Sequence, residues 1–220
     1  ALLKLCDEAI WLLLPDADPQ ALASGLKRFV FRSKVVIEVR ADLHVSASFT
    51  APAQAKGLLL GGTDPSFGIE LDMGAEGGPR TMRISAGPGT PDEPAAVARW
   101  QGFDLEHGLP RLPASQVEHW TPQQLSLERL SAFSVKKGCY PGQEIVARTH
   151  FLGQAKRGLA LLEGDEILVA GSDVTSESAS LGKVISTSGA DGRHLALAVV
   201  PLEHGSQRLS VDGSTVRELP

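Results

Sequence analysis

Arg157 to Leu162 reads R-G-L-A-L-L, Gly182 to Thr187 reads G-K-V-I-S-T, Leu195 to Val200 reads L-A-L-A-V-V and Arg208 to Val211 reads R-L-S-V. Short runs of Val, Ile and Leu separated by Gly, Asp and Ser are strand signatures. With Ile167 to Ala170 as a further run, they predict a small all-β module following Lys156. Ser172 to Ser180 is polar and reads as a connection between strands.

Upstream the pattern is mixed. Ala9 to Leu14 is an apolar run closed by Pro15 and reads as a strand. Asp18 and Pro19 then supply an N-cap and a first-turn proline for a helix carrying Leu22, Leu26, Phe29 and Val30 at helical spacing. Lys34 to Val39 and Leu43 to Phe49 read as two strands joined by a turn near Arg40 to Asp42, completing a βαββ half-unit. Gly57 to Leu60, Phe67 to Leu71 and Thr81 to Ser85 are further strand candidates. Asp92 and Pro94 open a second helix through Trp100 that should stop near Gly108. A shorter one should open at Thr121, where Pro122 suits the first position and Gln124 completes a capping box. A last helix is expected from Gly142 to Leu152, with Glu144 at its positive end, Arg148 one turn on as its partner and Gly153 as the stop. The fold class is therefore α+β, with a mixed domain over residues 1–152 and a β domain over 153–220.

The chain has 220 residues, 42% of them hydrophobic and 21% charged, which is enough apolar material for a real core. No apolar run approaches the span of a bilayer, and the N-terminus lacks a secretory pattern, so no membrane partner and a cytoplasmic location are expected. A net charge of −5 argues against direct non-specific nucleic-acid binding, which depends on clustered Lys and Arg. Two cysteines, Cys6 and Cys139, are too few for a disulfide framework or a four-thiolate site. His107, His119 and His150 lie nearest Cys139 in sequence without the spacing of a metal pair, so no metal site is assigned.

The residues most suited to chemistry lie together. Cys139 follows Lys136, Lys137 and Gly138 and precedes a turn into a helix N-terminus, and cations and the helix dipole both lower a thiol pKa. The alternative is a buried, inert cysteine. Tyr140, Pro141 and Gly142 form the turn, followed by Gln143 and Glu144. Trp100 offers a face on which a flat heterocycle could stack, although on the residues alone a core position explains a large aromatic more simply.

The segment from Lys136 to Arg148, K-K-G-C-Y-P-G-Q-E-I-V-A-R, resembles the motif of YgfZ-type folate-binding proteins, a branch of the glycine-cleavage T-protein (aminomethyltransferase) superfamily. Leu26 to Val36 (L-K-R-F-V-F-R-S-K-V-V), Thr121 to Leu125 (T-P-Q-Q-L) and Gly153 to Leu159 (G-Q-A-K-R-G-L) extend the likeness. It departs at Ser126, where the family usually has Asn, at Ser131 and Ala132, where paired glycines are common, and at Pro141. The resemblance implies a T-protein-like folate-binding α+β body followed by a small β-barrel, with an N-terminal segment of the body missing from this chain. It also implies tetrahydrofolate, or a one-carbon derivative of it, as ligand. The partners implied are iron-sulfur proteins or their assembly machinery, with an effect on tRNA thiomethylation, and Cys139 becomes the working residue. Lys136, Lys137, Gly138, Tyr140, Gly142, Gln143, Glu144 and Arg148 support it, and Trp100 stacks on the folate. Two other functions fit the same family: a true aminomethyltransferase, which passes a one-carbon unit to tetrahydrofolate without needing a thiol, and a folate-responsive regulatory protein with no catalytic residue. Whether the chain is an enzyme is open on sequence.

Overall fold

A strand's side chains alternate between two faces, so the cover each face finds decides where a run of residues can settle. The computed structural model describes residues 2–4, 9–32, 34–138, 140, 142–153, 155–177, 179–205 and 208–220. They form two compact units, Ala1–Pro91 and Asp92–Pro220. The boundary thus falls at Pro91, not near 152, and residues 92–152 group with the β module that follows them.

In the first unit β1 (Leu2–Lys4) and β2 (Ile10–Leu12) pair antiparallel. Helix α1 (Pro19–Lys27) starts as its sequence dictates: the Asp18 carboxylate accepts the Gln20 N–H at 2.9 Å, and Pro19 occupies the first turn. The expected strand at Lys34–Val39 does not form. Its backbone makes no strand pairing, and Val35 and Val36 are exposed, so the apolar residues that suggested a strand have no sheet to join. The βαββ half-unit accordingly lacks one strand. Residues 57–60 likewise form a tight hairpin in place of a strand, with Lys56 and Leu59 exchanging both backbone hydrogen bonds at 2.9 Å.

Strands β3 (Leu43–Ser48), β4 (Ile69–Asp72) and β5 (Thr81–Ala86) make an antiparallel sheet in the order β3-β5-β4. The register sorts the residues by polarity. Val45, Ile84 and Ile69 align across one face, where Ile69, Leu71 and Ile84 form a core with Trp11, Leu13 and Leu43. Across the other face align Ser46, Arg83 and Glu70, then Ser48, Thr81 and Asp72.

The second unit is built on a closed antiparallel barrel of β6 (Arg157–Gly164), β7 (Asp173–Ser176), β8 (Ala179–Ala190), β9 (Arg193–Pro201), β10 (Leu209–Val211) and β11 (Ser214–Leu219). The order is β10-β11-β6-β9-β8-β7, closed where β10 pairs with β7, so no strand edge is left open. Two strands differ from expectation. Residues 167–170 are not a strand, since only Leu168 turns inward while Ile167 and Val169 stay exposed. Strand β7 instead lies inside the polar stretch 172–180.

Strand β9 explains how the rest of the unit attaches. Ala196, Ala198 and Val200 point into the barrel core, whereas Leu195, Leu197 and Val199 point outward into a second core with Leu105 and Leu125. Leu105 belongs to α2 (Pro94–Glu106), which packs against the outside of β8. A bulge in β8 at Ile185 turns that side chain outward into the same layer. Polar bonds fix the alignment: Ser186 Oγ donates to the Arg111 carbonyl at 2.6 Å and accepts its N–H at 2.8 Å, Ser188 Oγ donates to the Ala98 carbonyl at 2.7 Å, and Gln116 Nε2 donates to the Val184 carbonyl at 3.0 Å. Farther out, Arg193 bridges Glu106 of α2 and Glu163 of β6, and Arg217 pairs with the same Glu163.

The helix expected at Thr121 is only a turn. Its capping box forms, the Thr121 N–H donating to Gln124 Oε1 at 3.0 Å and the Gln124 N–H to Thr121 Oγ1 at 3.3 Å. Ser126 then adopts a left-handed conformation with φ 50°, which ends the turn before a 3-10 segment at Leu127–Leu130. Ser131 closes that segment, left-handed again at φ 51°.

Candidate functional site

The described motif residues lead into α3 (Gln143–Leu152). Gly142, at φ 82°, is the residue before the helix, a conformation that costs a side-chain-bearing residue about 1–2 kcal/mol. Among the described residues no side chain caps this end, and Glu144 sits in the first turn where the helix dipole favours a carboxylate. Val146 buries the helix inner face, and its carbonyl accepts Gln123 Nε2 at 2.9 Å, tying α3 to the capping-box turn.

Before the helix the chain folds back on Ser134. Its carbonyl accepts the Tyr140 hydroxyl at 3.1 Å, and its Oγ accepts the Lys136 N–H at 3.2 Å. The Lys137 ammonium lies 4.8 Å from the Tyr140 ring centroid, a cation–π placement. Gln143 closes the loop, its N–H on the Tyr140 carbonyl at 3.1 Å and its Nε2 on the Lys137 carbonyl at 3.4 Å. Lys136, Lys137 and Gly138 are exposed and Tyr140 is half-buried. Cys139 and Pro141, like Cys6, lie outside the described residues.

The structure brings Lys137, Tyr140 and Gln143 into one bonded loop. It does not join Glu144 to Arg148: both are exposed, and no ion pair links them among the described residues, as the small value of a solvated i,i+4 pair allows. Trp100 is half-buried on α2. His107 stacks on Phe103 with ring centroids 4.4 Å apart, and His150 lies 3.6 Å from Glu128. Among the described residues no group of three or more His, Cys, Asp or Glu side chains is placed to hold a metal ion, and no helix is long and apolar enough to cross a membrane.

A different site escaped the sequence. A groove of about 300 Å³ opens on the polar face of the β3-β5-β4 sheet, lined by Ser46, Ser48, Thr50, Glu70, Thr81 and Arg83 with the chain at 51–53 as a wall. Among the described residues no aromatic side chain lines it, so these offer no stacking surface for a pterin, and Trp100 is not one of them. The available signal was the alternation of polar residues in Leu43–Ser48 and Thr81–Ala86, which puts His44, Ser46 and Ser48 on one face with Thr81, Arg83 and Ser85.

No protein-family model matches the chain.

Proposed function

We propose that this chain is a tetrahydrofolate-binding protein of the YgfZ type, in the T-protein superfamily, with an α+β folate-binding body of T-protein kind. It supports iron-sulfur cluster assembly or repair in the cytoplasm, and through it tRNA thiomethylation, by means of Cys139. The observation that carries the reading is the run K-K-G-C-Y-P-G-Q-E at 136–144, whose described residues form a tied loop feeding a helix N-terminus. Cations and an uncapped helix end are what a reactive thiolate requires of its neighbours.

Two of the departures from the family pattern fall on left-handed backbone. Ser126 and Ser131 stand where that family has Asn and Gly, and both hold left-handed backbone, at φ 50° and 51°. Asn and Gly are the residues that occupy this region at least cost, so the family pattern makes physical sense at those two positions of this chain.

A closed six-strand barrel follows the α2 segment in the second unit, as a small C-terminal barrel would. Folate would bring the one-carbon chemistry, and an iron-sulfur cluster would be cargo. In a strain lacking the protein, the wild-type chain should restore cluster-dependent tRNA thiomethylation and Cys139→Ala should fail at equal abundance. Full restoration by Cys139→Ala would overturn the role of the thiol.

A further inference from the structure

The groove on the three-stranded sheet is a built feature. Thr81 is buried, and its hydroxyl donates to the Thr50 carbonyl at 2.8 Å. Four residues on, the Gln54 N–H donates to Glu70 Oε2 at 2.9 Å. The loop that forms the groove wall is therefore pinned to the sheet at both ends. Its rim carries a hydroxyl pair, Ser48 Oγ and Thr50 Oγ1, 2.8 Å apart.

Arg83 is held just as deliberately. Its guanidinium lies across Gly68 and donates to the Phe67 carbonyl, and Nη1 sits 3.4 Å from Glu70 Oε1. A Cβ on Gly68 would come within 2.3 Å of Nη2, so only glycine leaves room for this placement. The head group is fixed by a carbonyl and a loose ion pair, while its side chain remains 44% exposed and lines the groove. A guanidinium carries five N–H donors, so donors remain beyond these two bonds for a carboxylate. Glu70, 13% exposed beside it, is an acceptor for a donor one atom away from that carboxylate. The volume lies at the low end of small-molecule sites, which excludes large ligands from full enclosure.

We infer that this groove binds a small carboxylate bearing a hydrogen-bond donor on its α carbon, a hydroxy or amino acid. Arg83 takes the carboxylate, Glu70 the donor, and the Ser48–Thr50 hydroxyls the remaining edge. The inference does not rest on folate binding, since its residues share none with the Cys139 loop.

The test follows backbone amide NMR shifts of the full chain during titration with glycolate, glycine and acetate. Saturable shifts confined to residues 46–54, 67–70 and 81–83 are expected, with glycolate or glycine binding about tenfold tighter than acetate. Arg83→Gln should abolish them. Glu70→Gln, which keeps an acceptor for the Gln54 N–H but removes the charge that meets an α-ammonium, should lower the ratio of glycine to acetate affinity. Absence of saturable shifts, equal affinity for acetate, unchanged binding by Arg83→Gln, or an unchanged ratio of glycine to acetate affinity in Glu70→Gln would overturn the assignment.

Discussion

Strands β9 and β3 are both short runs of small and aliphatic residues, yet they live in opposite surroundings. Every residue of β9 from Leu195 to Val200 is buried, the even positions inside the barrel and the odd ones beneath α2 and its following segment. Strand β3 buries far less: Val45 is 49% exposed, and its other face carries His44, Ser46 and Ser48. The first arrangement commits both faces to stability. The second leaves a polar face available for recognition, which is where the groove lies. The contrast can be broken most forcefully by truncation in each strand. Leu197→Ala should cost about 2–5 kcal/mol in chemical denaturation, whereas Val45→Ala should cost under about 1 kcal/mol. Equal losses would erase the distinction.

The attachment of the outer layer gives a sharper test. Ser186→Ala removes two buried bonds to Arg111, so a loss of about 1–3 kcal/mol is expected, read as a lower urea midpoint. A half-buried serine of the open sheet face, Ser46, should tolerate the same change within about 0.5 kcal/mol.

Acidification should also act on the barrel side. Hydrogen bonds from Arg193, and then from Arg217, hold the Glu163 carboxyl below the ordinary carboxylate range. Its contribution is complete above the unfolded carboxyl value of about 4.3 and is lost as pH falls through the lower folded value. Urea midpoints measured from neutral pH downward should therefore fall more in the wild type than in Glu163→Gln. Parallel curves would remove Glu163 from the account.

These contrasts also mark what the amino-acid order reveals. Unbroken apolar runs such as 195–200 announce themselves as strands whatever covers them, and α1 and α3 are readable because Asp18, Pro19, Gly142 and Gly153 punctuate them. Strand β7 was hidden because Asp173, Thr175 and Ser176 are polar, and it is pairing with β8, together with β10 where the barrel closes, that recruits them. The reverse holds at Lys34–Val39, where strand-forming residues find no partner. The Cys139 motif is legible from residue types alone. The groove is not, since Arg83 meets Glu70 and Ser46 only through register, and meets Thr50 only through a loop pinned from both ends.

The smallest effect concerns Ser131. Replacing it with Gly should relieve its left-handed strain and raise stability by about 0.5–1 kcal/mol, visible as a rise in Tm, while the same change at an exposed serine of β3 should lower it.

The central claim is folate binding, and the most direct measurement is a titration of the full chain with tetrahydrofolate under anaerobic conditions, following tryptophan fluorescence. Saturable quenching that Trp100→Phe reduces, with Trp11 and Trp120 left in place, is the predicted result. Saturation by no folate species at all, with the chain shown to be folded, would contradict it.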